Sequence, residues 1–383
     1  MSPTDEQLAA RRADIEAKQQ RVADVLAEMN CEAVVLLMPA HVAWFTSGLV
    51  VRGLIADSER PGIYTNGRQR WLLSSNVDSQ RLFDEEIDQL GFQLKEWPWA
   101  VGRSDLLFNV TAGRTIAADR PFPNVPMVND RLRPLIRVLS AYEQTSYREL
   151  GKWVAHAVEA TARTIRLGET EIEIAGQLGH RLIHHGVEPV ALSVTADDRG
   201  VKFRRAGFTS TPVTRTCVIQ ATGQRDGLFA TASRSVSFNA PPADFRAAYE
   251  YAVKLAAIYR SYTKPSMTIS ALNEVTVIAL AATPFEFDNR LSQPGYGAGR
   301  FAAEELRRGG ADEPFVEGQA VVWQPHVGAA SCVDTLLVTA AGPEAITPPT
   351  EWPFKRVTVR GITSDIPDLL VRSVAEQSIP EKT

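Results

Sequence analysis

Hydrophobic positions in the first third of the chain change between helical and strand-like spacing. Apolar residues of the segment 5–29 fall near one helical face, which predicts an amphipathic helix. Asn66-Gly67 stands between the two apolar runs of the segment 61–75, and this pair favours the positive φ angles of a hairpin turn. The same criteria predict a helix at 77–90 and strands at 32–38, 41–48 and 92–99. This alternation is typical of a small α/β domain, which we place at residues 1–135.

The pattern changes after a proline-rich segment at 119–134. Proline fixes φ and removes a backbone donor, so this segment is predicted to connect two domains. Thr170 and Glu173 have the spacing of a helix capping box. The predicted elements are helices at 140–168, 170–186, 243–262 and 270–282, a hairpin at 214–238 and a β-rich stretch at 320–347. They predict an α+β domain at 140–360, an antiparallel sheet covered by helices, and a C-terminal tail at 361–383.

Composition narrows the class of protein. The 383 residues include 45 acids and 41 bases, for a formal charge of −4, which argues against a nucleic-acid partner. No apolar run reaches the roughly 18 residues of a membrane helix, so no membrane partner is expected. The N-terminus lacks the apolar region of a signal peptide. Three cysteines indicate buried thiols rather than a disulfide framework, and they favour a cytoplasmic protein.

Most short motifs have an ordinary structural interpretation. The sequence holds no HExxH, P-loop or GxSxG pattern, and GYGAGR (295–300) predicts a plain loop. His180 and His184 share a helix face near the helix C-terminus, where histidines interact favourably with the helix dipole. Cys332 and His326 lie six residues apart, but a buried thiol is commoner than a catalytic thiolate–imidazole pair.

The segment DDRGVKFRR (197–205) is the strongest candidate site on residue chemistry alone. It ends in Arg204 and Arg205 and leads into the hairpin at 214–238. Guanidinium groups bind carboxylates and phosphates in a bidentate manner, so the segment could form an anion-binding loop. An ordinary solvated loop is the commoner structure for such a charged segment, and both interpretations stay open.

The order of these sequence segments resembles that in the pita-bread family of creatinase, prolidase and aminopeptidase P. The resemblance rests on YEQTSYRELGKWVAHAVEAT, DDRGVKFRR, RDGLFATASRSVSF, GYGAG and GQAVVWQPHVG followed by DTLLVTAAGPEAIT. It implies a pita-bread domain in the C-terminal part and a smaller creatinase-type α/β domain before it. The phrases are closest to a divergent bacterial branch of the family.

The resemblance also implies where two metal ions would bind. Peptidases of this family use two aspartates of the hairpin, one histidine and two glutamates. The matching positions here are Gln220, Thr231, Tyr296, Gln324 and Val333. Amides, hydroxyls and an apolar side chain cannot neutralise the roughly four positive charges of two divalent ions. The resemblance therefore implies a branch without the metal site and with no other cofactor.

Two functions stay open at this point, with a third less favoured. The first is a non-catalytic pseudoenzyme that binds a small molecule or peptide, with an anionic group preferred, and forms a homodimer. The second is a metal-independent C–N bond hydrolase of the creatinase type, and the third is an Xaa-Pro metallopeptidase. The candidate pocket residues are Arg204, Arg205, Gln220, Thr231, Arg234, Tyr296, Gln324, His326 and Asp334.

Overall fold

The chain forms two compact units. A computed structural model describes residues 4–51, 56–291, 293–308 and 311–373. Contacts between Cα atoms divide the chain into Met1–Gln144 and Thr145–Thr383, here called unit 1 and unit 2. The division, after Gln144, falls nine residues beyond the predicted end of the first domain at 135.

Unit 1 is built on a mixed five-stranded sheet with the strand order β4-β3-β2-β1-β5. A 3₁₀ helix at Asp57–Glu59 and a π-helical turn at Phe83–Ile87 complete the described elements. The helices and strands are α1 (Asp5–Glu28), β1 (Ala33–Leu36), α2 (Pro39–Phe45), β2 (Gly62–Thr65), β3 (Arg70–Ser75), α3 (Ser79–Leu82), β4 (Gln93–Trp97), α4 (Ser104–Thr111), β5 (Ile116–Ala118) and α5 (Asn129–Arg137). The sheet and its helices form the small α/β layout predicted for this part of the chain.

One strand predicted in unit 1 is wrong, because the segment 41–48 overlaps helix α2. The proline at the first position of α2 suits a helix start. The carboxylate of Asp119 accepts hydrogen bonds from the backbone N–H groups of Leu37 and Met38, both at 2.8 Å. A carboxylate at a helix N-terminus satisfies free donors and complements the helix dipole. This cap comes from a distant part of the sequence, so local apolar spacing could not predict it.

Unit 2 is an α+β layout with two four-stranded sheets, ordered β19-β8-β7-β6 and β16-β15-β12-β9. A 3₁₀ helix at Asp288–Arg290 precedes β9. The elements are α6 (Ala141–Thr164, most of which lies in unit 2), α7 (Glu171–His184), β6 (Glu188–Ala196), α8 (Arg199–Lys202), β7 (Thr216–Arg225), β8 (Leu228–Phe238), α9 (Ala243–Tyr262), α10 (Ile269–Leu280), β9 (Gly295–Ala298), β10 (Arg307–Arg308), β11 (Ala311–Asp312), β12 (Ala320–Trp323), β13 (His326–Val327), β14 (Ala330–Ser331), β15 (Asp334–Thr339), β16 (Gly342–Ala345), β17 (Phe354–Val359), β18 (Ile362–Pro367) and β19 (Leu370–Arg372).

The long hairpin of β7 and β8 organises unit 2, as its sequence predicts. Its turn residues, Asp226 and Gly227, both adopt positive φ angles, at 54° and 67°. The two strands pair with Gln220 opposite Ser233 and Thr222 opposite Thr231. Since side chains alternate between the faces of a strand, these four residues share one face of the sheet.

The opposite face of the hairpin is covered by helices α6 and α7. A Cβ added at Gly223 would lie 2.8 Å from Val154 of α6 and 3.7 Å from Leu182 of α7, so glycine permits this close packing. The predicted capping box of Thr170 and Glu173 starts α7. The predicted α+β class, with helices on one face of an antiparallel sheet, is therefore confirmed.

Four strands of unit 2 differ from the sequence prediction. GYGAGR was predicted as a loop, but its first four residues form β9, paired antiparallel with β12. A Cβ at Gly295 would lie 2.2 Å from the carbonyl oxygen of Val322, so the glycine allows the strands to approach. Strand β6 was not predicted. Part of the segment assigned to a tail forms β18 and β19, and residues 374–383 of that segment lie outside the described residues.

Candidate functional site

A cavity of about 420 Å³ lies against the polar face of the β6–β8 sheet and is called the first cavity. Alternate residues of neighbouring strands line it, including Ser193 of β6 and Gln220 and Thr222 of β7. Tyr296 of β9 and Gln324, which follows β12, also contribute polar groups to its wall. Three of the five positions that the resemblance assigns to metal ligands therefore meet in one cavity.

Hydroxyl groups form a connected cluster at the wall of the first cavity. The Oγ1 atoms of Thr222 and Thr231 lie 2.9 Å apart, and Thr231 Oγ1 lies 3.3 Å from Tyr296 Oη. Burial raises the pKa of the Tyr296 phenol, while its hydrogen bonds with the two threonines and the charge of Arg205 act in the opposite direction. The phenol therefore stays protonated at neutral pH and can donate one hydrogen bond.

His326 contributes an uncharged imidazole to the first cavity. Burial, assisted by the nearby Arg204 guanidinium, lowers the pKa of His326 to about 4. Its Nδ1 atom is buried and has no hydrogen-bond partner among the described residues. At neutral pH this side chain adds a hydrogen-bonding group to the wall and no positive charge.

The segment 197–209, here called the arginine loop, is anchored by the buried carboxylate of Glu171. Glu171 Oε2 accepts hydrogen bonds from Arg199 Nη1 at 2.6 Å and from the backbone N–H of Thr209 at 2.7 Å. Glu171 Oε1 accepts a further bond from the backbone N–H of Ala196 at 2.8 Å. These bonds hold both ends of the loop that carries the two candidate arginines into the first cavity.

The two adjacent arginines have different partners. Arg204 Nη2 lies 2.9 Å from Asp288 Oδ2, and Arg204 Nη1 donates to the carbonyl oxygen of Gly328. The side chain of Arg205 is exposed and makes no ion pair or hydrogen bond with the described residues. Only Arg205 of this pair therefore keeps its guanidinium available for a ligand.

A second cavity, of about 560 Å³, adjoins the first. The two cavities share Arg205, Gln293, Gln324 and His326 in their walls. The second cavity is also lined by residues of α10 and by the 3₁₀ helix Asp288–Arg290. Arg205 therefore stands between two adjoining compartments.

The structure places Arg234 and Asp334 away from both cavities, in a buried ion-pair cluster. Arg234 Nε lies 3.0 Å from Glu159 of α6, and Arg234 Nη1 lies 3.1 Å from Asp334. Asp334 also pairs with Arg260 of α9 at 2.7 Å. Arg234 neighbours Ser233 in β8 and so faces the opposite side of the sheet, toward α6. The structure therefore corrects the prediction that Arg234 and Asp334 line the pocket.

The remaining metal-ligand positions lie beside the first cavity. Thr231 is buried behind its wall and contacts Tyr296, as described above. Val333 is fully buried, and its backbone N–H donates to Ser233 Oγ at 2.7 Å. Cys332 is also buried, which raises the pKa of its thiol to about 12 and agrees with an unreactive cysteine.

The donor groups of this site do not fit a pair of divalent cations. The first cavity offers amides, hydroxyls and an imidazole, and no carboxylate lines its described part. Throughout the described ranges, no group of three or more His, Cys, Asp and Glu side chains is placed to hold a metal ion. Hard divalent ions need anionic oxygen ligands to balance their charge, and Arg205 adds charge of the wrong sign.

Several residues of the site were missed by sequence reasoning. Ser193 of β6 was overlooked because β6 itself was overlooked, although VALSVTA (190–196) has the two-residue alternation of a strand. Asp288 and Arg290 lie far from the arginine loop in the sequence. No local pattern could reveal that Asp288 pairs with Arg204.

Fold and site together define a pita-bread protein: an antiparallel sheet, covering helices and a cavity on the polar sheet face. The profile of Metallopeptidase family M24 matches residues 145–340, and the chain belongs to this family. The predicted membership of the creatinase, prolidase and aminopeptidase P group is thereby confirmed. No curated protein sequence matches the chain.

Solved structures share the fold over nearly the whole chain. The dipeptidase PepE from Mycobacterium ulcerans is 15% identical with a TM-score of 0.73, and the match covers 95% of this chain and 99% of that one. The prolidase from Pyrococcus horikoshii OT3 is 16% identical with a TM-score of 0.73, covering 86% and 98%. The X-Pro aminopeptidase from Thermotoga maritima MSB8 is 16% identical with a TM-score of 0.72, covering 92% and 99%.

No described helix is both long enough and apolar enough to span a membrane.

Proposed function

We propose that this protein is a ligand-binding pseudoenzyme of the M24 family, in which uncharged polar groups replace the dinuclear metal site. One observation carries the proposal. Gln220, Tyr296 and Gln324, which match metal-ligand positions of the family, line one cavity and supply no negative charge. The site keeps the concave shape of the fold and has lost the charge that metal catalysis requires.

The size and lining of the cavity suit a small organic ligand. Its volume of about 420 Å³ lies within the usual range for ligand pockets, roughly 300–1,000 Å³. Apolar residues such as Val218 and Phe203 alternate with amides and hydroxyls in its wall. Ligand pockets are commonly built this way, with a few polar groups that orient the ligand on an apolar surface.

Metal content tests the proposal directly. Purified protein should contain no stoichiometric Mn, Co, Zn or Fe and should not cleave Xaa-Pro peptides. The names of the structural relatives make an Xaa-Pro metallopeptidase the obvious competitor. Stoichiometric metal together with metal-dependent cleavage would overturn the proposal in favour of that peptidase.

A gain-of-function variant tests the assigned positions. The combined replacement Gln220→Asp, Thr231→Asp, Tyr296→His and Gln324→Glu should create a site that binds Mn²⁺, because it restores anionic and imidazole ligands. Isothermal titration of Mn²⁺ into this variant and into the unchanged protein makes the comparison, with circular dichroism as the folding control. A folded variant that binds no Mn²⁺ would show that these positions are wrongly assigned.

A metal-independent C–N bond hydrolase is the second candidate, and His326 is the observation that favours it. An unprotonated imidazole in the same cavity as the Tyr296 phenol could accept a proton from water or substrate. Its pKa of about 4 makes it a weak base near pH 7. Turnover of creatine or other amides that is lost in His326→Asn would support this function over the pseudoenzyme.

A further inference from the structure

We propose that the ligand carries an oxyanion and no ammonium group, with the oxyanion bound in the second cavity between Arg205 and Arg290. The uncharged part of the ligand then occupies the first cavity. This inference rests on the proposed function, because it specifies the ligand of the same site. It is carried by the balance of charges around the two adjoining cavities.

The charged groups of the two cavities are mostly arginines. Among the described lining residues, the ionised groups are the guanidiniums of Arg204, Arg205 and Arg290 and the carboxylate of Asp288. Asp288 is already bound, to Arg204 at 2.9 Å and to the backbone N–H of Gly328 at 2.6 Å. This pairing leaves two guanidiniums facing the second cavity without a carboxylate partner.

The guanidiniums of Arg205 and Arg290 are both available to a ligand. Neither side chain makes an ion pair or hydrogen bond with the described residues. The guanidinium carbon of Arg290 lies 4.9 Å from the ring centroid of Phe287, a cation–π contact that orients the side chain. Arg205 is carried by the arginine loop, which Glu171 anchors at both ends. Two guanidiniums in the wall of one cavity suit an oxyanion such as a carboxylate or phosphate.

Amide side chains line the passage between the two cavities. Gln293 and Gln324 contribute to both walls, and Asn273 and Asn289 contribute to the second. Asn289 Oδ1 is buried and has no hydrogen-bond partner in the described parts of the chain. Buried polar atoms normally have partners, so this oxygen and His326 Nδ1 favour a ligand with hydrogen-bond donors such as amide N–H groups.

An ammonium group would be poorly accommodated in either cavity. The one described carboxylate is neutralised by Arg204, and two guanidiniums would repel a second cation. A free dipeptide carries both a carboxylate and an ammonium group. Its N-acetylated form keeps the carboxylate and the amide groups and loses the positive charge, so it should bind more tightly.

Isothermal titration with a matched set of compounds tests this inference. The probes are N-acetylalanylphenylalanine, the free dipeptide alanylphenylalanine, the uncharged N-acetylalanylphenylalanine amide, and inorganic phosphate. The acetylated acid should bind about tenfold more tightly than either the free dipeptide or the uncharged amide, the effect of one charged hydrogen bond. Phosphate that competes with the acetylated acid would support an oxyanion site that accepts carboxylate and phosphate alike. Phosphate that binds without competing would bind at a different site, which would count against an oxyanion site between Arg205 and Arg290.

Variants locate the oxyanion. Arg205→Gln and Arg290→Gln should each weaken binding of the acetylated acid about tenfold. Arg246→Gln is the matched control, because Arg246 is an exposed arginine of α9 that lines neither cavity. Unchanged affinity in both cavity variants would overturn the assignment.

The outcomes separate this inference from the proposed function. If the uncharged amide or the free dipeptide binds as tightly as the acetylated acid, the oxyanion inference fails and ligand binding stands. If none of the four probes binds, the oxyanion inference fails, and metal content and peptidase activity decide the proposed function separately. If the protein contains stoichiometric metal and cleaves Xaa-Pro peptides in a metal-dependent manner, the proposed function fails irrespective of the binding results.

Discussion

Replacing Arg234 by methionine should destabilise unit 2 strongly and leave the ligand site intact. The guanidinium of Arg234 is fully buried and contacts Glu159 at 3.0 Å, Asp334 at 3.1 Å and the carbonyl oxygens of Ser233 and Thr347 at 2.9 and 3.1 Å. Methionine fills similar space without charge. It leaves two buried carboxylates short of a partner, and such losses cost about 3–5 kcal/mol.

The lower end of that range is expected, because both carboxylates keep other donors. Asp334 retains Arg260 at 2.7 Å and the Thr347 hydroxyl at 3.0 Å, and Glu159 retains the Thr350 hydroxyl at 2.6 Å. A loss of about 3 kcal/mol lowers the melting temperature by roughly 6–12 °C in a domain of this size. Thermal unfolding followed by circular dichroism measures the shift.

The comparison variant is Arg205→Gln, because Arg205 is an exposed arginine of the same unit. It should change the melting temperature little, since exposed substitutions usually stay within about 0.5 kcal/mol. A melting temperature of Arg234→Met within about 2 °C of the unchanged protein would refute the buried-cluster argument. Loss of ligand binding by a stable Arg234→Met variant would return Arg234 to the pocket.

Three further predictions concern the cavity wall and its supports. Glu171→Gln should lower the free energy of unfolding, measured in urea, by about 2–3 kcal/mol, because three backbone and side-chain donors lose a carboxylate acceptor. The same variant should show faster hydrogen exchange in the arginine loop, and unchanged exchange would contradict the argument. The pKa of His326 is about 4 in the folded state and near 6.5 when unfolded, so the unfolded chain takes up a proton first as the pH falls. Stability should be full above pH 6.5 and fall by up to about 3 kcal/mol by pH 4, a loss absent from His326→Asn. Gly295→Ala should lower the melting temperature, because the added Cβ would lie 2.2 Å from the carbonyl oxygen of Val322. Gly179→Ala in α7 is the control and should raise the melting temperature slightly, since nothing lies nearer than 3.7 Å to its Cβ and alanine favours a helix. Equal shifts in the two variants would contradict the close approach at Gly295.

The long elements of the fold could be predicted from local patterns because their signals are local. The capping box at Thr170 and Glu173 and the Asp226-Gly227 turn require only neighbouring residues. Short elements depended on distant partners. Helix α2 is capped by Asp119, and β9 exists because Gly295 permits close pairing with β12. Neither partner can be found from spacing.

The candidate site was predicted in part. The family resemblance named Gln220, Tyr296 and Gln324, and the structure brings them to one cavity. Arg234 was wrongly assigned to the pocket, although alternation along β8 already places it on the face opposite Thr231 and Ser233. The partners that it meets on that face, Glu159 and Asp334, are distant in the sequence and could not be predicted from local patterns. The second cavity was not expected, because no sequence pattern connects α10 with the arginine loop.

The last described strand has a consequence for biosynthesis. Strand β19 lies parallel to β8, with Leu370 opposite Val236, and forms the outer edge of the sheet that bears the first cavity. β19 covers the end of β8 at residues 236–238, and until residues 370–372 leave the ribosome this end is an edge with unpaired backbone groups, which are prone to join strands of other molecules. A ribosome that stalls before residue 370 would therefore release a product with an open sheet edge and a greater tendency to aggregate.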